Sequence, residues 1–393
     1  MMWKKGVALL FGLMLVAATM SFGKVSAEST SVTVILVSDN EADCTLAEYL
    51  ANVTGAIVVT TEWGTYNPNV TAEIMSYAPD NVIIIGGPDA VVKQYVDDLQ
   101  ELGITVERWW GKNRYETNVA VIGNATVRLK IKFENSIIIV PGNDSGAIKE
   151  ALRRAVKIHG IIIFVNETTD PIRVMAKFQI MPKNVTIIHS HVMMNVAEKI
   201  MERMKIHANV TEIKVNVTPE MALEAINMSE ERVATAKEML QNVSLDVREE
   251  KLVSRMLALA ERELENAKDA YEMGKYGRAY GQAIAAKAHA EFVIRVASDE
   301  WEVKVRFEPT MRAQIFVHRI EIQLNAMERA GINVTELREL VEQLKTAIKN
   351  KDYDAIDSLM EQIRRELLEL YANGRGKFRE HVVLPVHGSH SRP

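Results

Sequence analysis

Residues 82–103 have the pattern of a strand, a tight turn and a helix. An apolar run at 82–85 stops at Gly86-Gly87-Pro88, and apolar residues then recur at helical spacing up to Gly103. A second short strand through Ile104 follows, and a polar turn at 111–117 leads into another helix. We therefore predict a buried strand, a tight turn, a helix and a further strand in this stretch.

This pattern occurs twice in the chain. The segment V-I-L-V-S-D-N at 34–40 corresponds to I-I-I-V-P-G-N at 137–143, and the same offset aligns 79–82 with 182–185. Each copy also holds a helical stretch and a second apolar run, at 55–59 and at 160–164. We predict two copies of a strand–helix–strand–helix–strand–helix unit, roughly 90 and 80 residues long.

Strands that alternate with helices at these spacings predict parallel sheets, because parallel neighbours need a crossover connection. The nearly continuous apolar strands agree, since helices would cover both faces of such a sheet. Ligands of these sheets sit at the carboxyl ends of the strands. In this chain those ends are residues 38–43, 60–63, 86–89 and 109–114.

The pattern changes at residue 218, where strand signals stop and apolar residues recur at helical spacing. Start and stop signals give predicted helices at 219–243, 245–273, 276–305, 309–330, 334–350 and 353–373. Small and aromatic residues at 270–288 resemble tetratricopeptide-type helix pairs, but only one such unit can be aligned. An antiparallel bundle or an elongated stalk is favoured over a peptide-binding superhelix.

The predicted fold class is α/β plus all-α, with two flavodoxin/Rossmann-like parallel-sheet repeats followed by a helical bundle domain. The predicted parts are a signal peptide at 1–27, α/β repeats at 28–125 and 126–217, a helical domain at 218–373 and a flexible tail at 374–393. The signal peptide is predicted from Lys4, Lys5, an apolar core at 6–18 and small residues before Glu28. An uncleaved anchor is the alternative, but the core is shorter than the roughly 20 residues that span a bilayer.

The first copy contains the ordered motifs I-I-I-G-G-x-x-x-V at 83–91 and E-R-x-x-G-x-x-R-Y-E-T at 107–117. They resemble the cell-wall-binding repeat 2 family, clearly over residues 31–123 and in degenerate form over 136–208. The resemblance implies a secreted surface protein whose repeats attach non-covalently to envelope polymer, with no catalysis by the repeat itself. Family members usually carry three repeats that pack together, so completion of the arrangement by a second chain is a hypothesis.

The second copy departs from the family pattern. His189-Ser190 replaces the glycine pair, and no Arg-Tyr-Glu-Thr element follows Ala208. The first copy also lacks the family's proline in the strand at 56–59. These changes leave the predicted fold intact and place polymer binding chiefly in the first copy.

The resemblance and the strand ends together give a set of polymer-binding candidates. The basic side chains suit an anionic polymer, and the tryptophans, with Trp63, offer flat faces for sugar rings. The candidates are Gly86, Gly87, Arg108, Trp109, Trp110, Lys112, Arg114 and Tyr115. The alternatives are that Arg114 pairs with Glu116 to close the unit, that the tryptophans pack between domains, and that the glycine turn binds a phosphate.

Asparagine placement gives independent support for export. Of 22 asparagines, 11 begin an N-x-Ser/Thr triplet, whereas chance predicts about two or three. The excess predicts a glycosylated surface protein with a subset of its sites occupied. The candidate sites are Asn52, Asn69, Asn124, Asn143, Asn166, Asn184, Asn209, Asn216, Asn227, Asn242 and Asn333.

Composition excludes several other classes. The net charge of -5 argues against a general nucleic-acid binder, and a single cysteine, Cys44, excludes an intrachain disulfide framework. Cys44 is predicted to be a small core residue, since no histidine precedes His159 to serve as its base. His189 and His191 have a spacing that suits a metal, but no further ligand joins them, so no metal and no cofactor are expected. The histidines of the tail from His381 are assigned to a disordered segment.

Three function classes follow. We favour a non-catalytic, extracellular cell-surface protein whose partner is envelope polysaccharide or S-layer protein, with no nucleic-acid and no integral membrane contact after signal cleavage. The first alternative is an extracellular solute-binding or partner-binding module. The second is an envelope-polymer hydrolase, which needs a pair of carboxylates. Its candidates at strand ends are Asp39, Asp43, Asp89 and Asp144.

Overall fold

The computed structural model describes residues 31–133, 136–190, 193–205 and 208–380, apart from the side chains of residues 302–304 and 306–307. The predicted signal peptide at 1–27, His191 of the histidine pair and the tail from His381 lie outside these residues. The described chain from Val32 onward forms one compact unit.

The first copy folds into a four-stranded parallel sheet. Its strands are β1 (Thr33–Ser38), β2 (Ile57–Thr61), β3 (Asn81–Ile85) and β4 (Thr105–Trp109), in the order β2-β1-β3-β4. Its helices are α1 (Glu41–Thr54), α2 (Pro68–Ser76), α3 (Gln94–Glu101) and α4 (Arg114–Val127). A helix was predicted directly after the glycine turn. In the structure this helix begins only at Gln94, because Val91 and Val92 still belong to the turn.

The second copy repeats this topology with strand order β6-β5-β7-β8. Its strands are β5 (Ser136–Pro141), β6 (Ile161–Val165), β7 (Asn184–Ser190) and β8 (Asn209–Val215), and its helices are α5 (Ser145–Ile158), α6 (Pro171–Lys177) and α7 (Met194–Met204). The strand β8 was not predicted; it is an edge strand whose half-buried residues are Val210, Ile213 and Val215. Only its last five residues, T-E-I-K-V, alternate β-branched and charged side chains, so the period-two signal of this strand is short.

The two sheets share a core built by helices between them. The core contains alternate residues of β1 and β5, such as Ile35 and Ile138, together with α1, α4 and α5. Buried alanines of both helices, including Ala47 and Ala151, belong to this core, and α1 packs on α5. The other face of the second sheet is covered by α6 and α7. Burial of both faces explains why these strands are almost continuously apolar.

The helical region forms two groups. Helices α8 (Pro219–Gln241), α9 (Val247–Glu272) and α10 (Tyr276–Phe307) have their own core, in which buried alanines let the backbones approach closely. The other group consists of α11 (Pro309–Arg329), α12 (Thr335–Asn350) and α13 (Tyr353–Arg379), and it packs on the outer side of the first sheet. The short helices α2 and α3 lie on the same side and share this core. The predicted fold class is confirmed, with part of the helical region built onto a sheet.

The last helix is longer than predicted. Instead of ending at residue 373, α13 continues to Arg379, because Phe378 is buried and anchors the extra turns. Arg379 also donates to the Ala78 carbonyl oxygen at 2.9 Å. A flexible tail therefore cannot begin at residue 374. Within the described ranges, no helix combines the length and the hydrophobicity that a membrane crossing requires.

Candidate functional site

The glycine turn after β3 is a closed structure. Gly86 has φ +119°, which favours glycine, and its N–H donates to the Trp109 carbonyl oxygen. The Gly87 carbonyl oxygen accepts from the N–H groups of Ala90 and Val91, both at 3.0 Å. These two amides are therefore engaged within the turn, which gives the phosphate interpretation no support.

The Arg108 side chain stabilises this turn through two hydrogen bonds. Its Nη1 donates to the carbonyl oxygens of Gly86 at 2.9 Å and Val91 at 2.8 Å. Partial burial of the guanidinium lowers its pKa to about 10, so the group stays cationic at neutral pH. Arg108 was predicted as a polymer contact, and its hydrogen bonds give it a structural task in holding the turn.

The two adjacent tryptophans have opposite environments, as an extended backbone requires. Trp109 is 2% exposed and its Nε1 donates to Glu107 at 3.2 Å. Trp110 is 47% exposed and lies over Gly87, where a Cβ atom would approach the indole to 3.0 Å. The absence of a side chain at Gly87 therefore lets the exposed ring of Trp110 lie close to the backbone.

The Arg-Tyr-Glu-Thr element joins the two α/β units. Arg114 Nη1 donates to the Gly142 carbonyl oxygen at 2.7 Å, and the Tyr115 hydroxyl donates to Asn143 Oδ1 at 2.8 Å. Glu116 accepts from the backbone N–H of Lys112 at 3.0 Å. Arg114 therefore reaches the second unit, whereas the alternative predicted its pairing with Glu116.

Two of the predicted residues, Trp110 and Lys112, are exposed just beyond the end of β4, and Gly87, which is partly buried, lies against the first of them. Gly87 lies beneath the ring of Trp110, and Lys112 follows two residues later with an exposed side chain. We call Gly87, Trp110 and Lys112 the Trp110 surface. It combines a flat aromatic face with a nearby cation, which suits a polymer with sugar rings and negative charge.

Helices α8 and α10 lie against the other strand ends. Arg232 of α8 pairs with Asp39 after β1, and Thr235 donates to Glu62 after β2 at 2.7 Å. Lys287 of α10 pairs with Glu41 at 2.7 Å. The sequence analysis missed this cover. A signal for it existed, because Arg232 is the one charged residue among the small and apolar residues of the buried face of α8.

The cover extends to the second sheet. The Tyr280 hydroxyl accepts from the Gly146 N–H at 2.8 Å, and Asp144 accepts from the Ser190 N–H at 2.6 Å. Burial raises the pKa of Tyr280, and the nearby Asp144 charge adds to that effect. The strand ends of both sheets are thus tied to the same helical group.

The four carboxylates considered for hydrolysis have separate surroundings. Asp39 pairs with Arg232, and Asp144 caps α5 by accepting from the Ala147 N–H. Asp43 is buried, and burial raises its pKa to about 7. The negative charges of Glu291 and Glu41 act in the same direction, whereas the positive charge of Arg114 opposes them. Asp89 is exposed and lies 3.9 Å from Arg295.

The thiol of Cys44 has the character of a packing residue. It is partly buried beside the core between the sheets, and it donates to the Ser38 carbonyl oxygen at 3.0 Å. Burial and the negative charge of Asp39 raise its pKa to about 12, so the thiol is protonated at neutral pH.

His189 is buried and contacts a carboxylate. Its Nε2 lies 2.9 Å from Glu212 Oε1, and its Nδ1 lies 2.9 Å from the Ser190 carbonyl oxygen. Its proposed partner His191 is outside the described residues, so the metal interpretation of this pair is not addressed by the structure. Elsewhere among the described residues, no group of three or more His, Cys, Asp or Glu side chains could hold a metal ion.

The glycosylation candidates all lie on the accessible part of the molecule. Nine of the eleven asparagines are exposed, and Asn124 and Asn166 are partly buried. Asn184 and Asn209 pair in register at the starts of β7 and β8, so two of the candidate sites are direct neighbours. The hydroxyl residues of the triplets at Asn69 and Asn227, which are Thr71 and Ser229, are buried.

Comparison with known proteins gives limited relationships. No family model matches the chain. The chain is 41% identical to an uncharacterized protein of Methanocaldococcus jannaschii over 157 residues, or 38% of this chain and 44% of that protein. It thus spans less than half the length of that relative.

Two solved structures from Clostridium difficile are similar over part of the fold. Cwp8 has a TM-score of 0.40 and 19% identity, over 47% of this chain and 31% of that protein. Cwp6 has a TM-score of 0.40 and 21% identity, over 47% of this chain and 29% of that protein. A likeness of this size carries no statement about function.

Proposed function

We propose that the protein is a non-catalytic, extracellular surface protein that attaches to cell-envelope polymer or S-layer through its α/β repeats. The observation that carries the proposal is the Trp110 surface, where an aromatic ring that is 47% exposed lies on Gly87 at a strand end. A large exposed aromatic side chain on a rigid turn is typical of a binding surface.

The surroundings of the other strand ends favour an attachment function over a catalytic one. Asp39, Glu41 and Glu62 are engaged by α8 and α10, and the Cys44 thiol is protonated at neutral pH. A hydrolase would need a carboxylate pair or an activated nucleophile open to substrate. The accessible part of this edge offers the aromatic face of Trp110, Lys112 and the single carboxylate of Asp89.

Surface location is supported by the glycosylation candidates. None of the eleven asparagines is buried, although the excess of triplets was found from sequence alone. Together with the predicted signal peptide, this placement favours export of the folded protein. The expected partner is envelope polysaccharide or an S-layer protein, and no cofactor is required.

Co-sedimentation tests the proposal. The mature chain, residues 28–393, is mixed with envelope fragments of the source organism, before and after protease treatment of the fragments. Sedimentation that survives protease supports a polymer partner, and sedimentation lost after protease supports an S-layer protein. Failure to sediment with either preparation would contradict attachment.

A further inference from the structure

The second sheet carries a strong positive charge at the edge where its strands begin. The starts of its strands lie level, because Ser136 pairs with Asn184 and Asn184 pairs with Asn209. Each helix of a parallel α/β unit returns the chain to this edge, so helices α4 to α7 all end there. We call these helix ends and the connections after them the basic edge, which comprises residues 127–133, 157–159, 177–183 and 203–205.

The charge of the basic edge is of one sign. Its four segments contain eight Lys or Arg residues and no Asp or Glu, although the whole chain has a net charge of -5. All eight cations are exposed. Arg128 pairs with Glu107 at 2.7 Å, whereas the other seven have no carboxylate partner among the described residues. The acidic residues that flank these segments in sequence are Glu134 and Glu202.

Stabilisation of helix ends explains only part of this charge. Cations in the last turn of a helix interact favourably with its dipole, and Lys157, Lys177 and Arg203 lie in the last turns of α5, α6 and α7. The first sheet has the same topology, but α1, α2 and α3 have no basic residue in their last turns. Their ends and the connections into β2, β3 and β4 contain Asp80 and Glu101 and no Lys or Arg. The fold alone therefore does not account for the basic edge.

Apolar side chains protrude from the same edge. Val127, Ile158 and Met181 are 76%, 40% and 84% exposed. Val127 and Ile158 are the last residues of α4 and α5. Met181 lies in the connection between α6 and β7, with Lys177 and Lys183 on either side of it in sequence. The basic edge thus combines unpaired cations with exposed aliphatic groups.

The connection after α4 holds its cations on the outer side. Leu129 and Ile131 are partly buried and pack against the core between the two sheets. The N–H of Ile131 donates to the Ala125 carbonyl oxygen at 3.1 Å, which fixes the connection on the end of the helix. The alternate residues Lys130 and Lys132 are exposed. These two charges are therefore presented from a fixed backbone.

We infer that the basic edge docks on an anionic lipid bilayer as a peripheral contact. Lysine and arginine side chains near a negatively charged membrane surface are attracted to the lipid phosphates, and aliphatic side chains between them enter the interface. A soluble polyanion offers negative charge but no apolar layer, so it would leave Val127 and Met181 in water. The combination of charge and exposed aliphatic groups therefore favours a bilayer.

The basic edge is separate from the Trp110 surface. Helix α4 begins at Arg114, close to Trp110 in sequence, and ends at Val127 in the basic edge. Its 14 residues place the two surfaces roughly 20 Å apart along the helix axis. Docking on a bilayer therefore does not depend on envelope attachment through the Trp110 surface.

Two glycosylation candidates lie at the same edge. Asn184 and Asn209 are exposed at the starts of β7 and β8. A glycan on either residue would hold the edge away from a bilayer. We therefore expect both residues to be unmodified in the protein from its source, and mass spectrometry of its peptides measures this. An occupied site at either position would contradict the docking.

Vesicle sedimentation tests the inference with the mature chain produced without glycosylation. Vesicles of phosphatidylcholine alone are compared with vesicles that also contain phosphatidylglycerol, at low and at high salt. The charge variant is Lys130→Gln/Lys132→Gln/Lys183→Gln. Its control, Lys251→Gln/Arg255→Gln/Lys349→Gln, removes the same charge from exposed positions in the helical region.

Binding is expected only to the vesicles with phosphatidylglycerol, and it should weaken at high salt because salt screens the attraction. Each cation near an anionic bilayer contributes about a factor of five in affinity, so the charge variant is expected to bind at least about tenfold more weakly. The control variant is expected to bind like the wild type. Absence of binding to the anionic vesicles, or equal losses in the two variants, would overturn the inference.

A pair of apolar variants separates a bilayer from a soluble polyanion. Val127→Ser/Met181→Ser is compared with Val247→Ser/Met273→Ser, whose residues are 82% and 64% exposed at the two ends of α9. The first variant is expected to lose at least about threefold in vesicle affinity without a change in binding to inorganic polyphosphate, and the second to change neither. Thermal unfolding establishes that each variant is folded. Unchanged vesicle affinity in folded Val127→Ser/Met181→Ser would overturn the bilayer as the partner and leave a soluble polyanion.

Discussion

At the scale of single residues, Asp43 shows how position rather than residue type sets charge. It lies near the start of α1, where an acidic residue usually favours the ionised form. Burial dominates instead and raises its pKa from 3.8 to about 7, and Oδ1 has no partner among the described residues. The sequence could place Asp43 at a strand end, but it could not show that the residue would be buried near Glu291 and Lys287 of α10.

The Asp43→Asn variant tests this burial. Between pH 4 and pH 7 the folded state holds a proton on Asp43 that the unfolded state releases, so this residue's contribution to stability falls as pH rises. We expect the variant to match the wild type near pH 4 and to exceed it at pH 8 by up to about 4 kcal/mol. Urea unfolding at both pH values measures the difference. A variant that is equally destabilised at both pH values would contradict the raised pKa.

At the scale of elements, the helices were predictable because their apolar spacing and caps are local signals. The prediction at 309–330 differs by one residue from α11, and Asp246 forms the capping box that starts α9. The partners of the helices were not predictable. An apolar face has the same pattern whether it covers another helix or a sheet, as α11 and α13 do here.

The ion pair between α8 and the first sheet gives a prediction at this scale. Arg232 is buried and lies between Asp39, Glu62 and Glu291, so Arg232→Met removes the buried cation from two partly buried carboxylates and leaves Glu291 with Lys287 alone. We expect a loss of roughly 3–5 kcal/mol in the free energy of unfolding. Urea denaturation at pH 7 measures it.

Lys237 on the same helix provides the control. It pairs with Glu261 at 2.6 Å, and both side chains are about half exposed, so Lys237→Met is expected to cost less than about 1 kcal/mol. If the two variants lost similar amounts of unfolding free energy, the ion pairs of Arg232 would not stabilise the packing of α8 on the first sheet.

At the scale of the whole molecule, the helical region is joined to the α/β region through a shared core. Val34 and Ile84 of the first sheet belong to the same buried cluster as Ile320 of α11 and Leu367 of α13. The constant offset between the two repeats predicted both sheets, because that offset can be read directly from the order of the residues. It could not predict that helices at least 200 residues further along the chain would complete the outer side of the first sheet.

Cleavage of the connection at residues 216–218 tests this shared core. A specific protease site placed there in the mature chain leaves the two parts joined only by non-covalent contacts. We expect both fragments to co-elute in size-exclusion chromatography without denaturant and to separate in urea. Separation in native buffer would indicate an independent helical domain.

If the Trp110 surface attaches the protein to the envelope, Trp110→Ala should weaken that attachment, and a binding isotherm measures the change. The mature wild-type chain, Trp110→Ala and the control Val247→Ala are titrated against protease-treated envelope fragments. Since exposed aromatic anchors typically contribute most of a contact's affinity, we predict at least about a tenfold loss for Trp110→Ala and none for Val247→Ala. Unchanged affinity in a folded Trp110→Ala protein would contradict the claim and move the attachment site elsewhere.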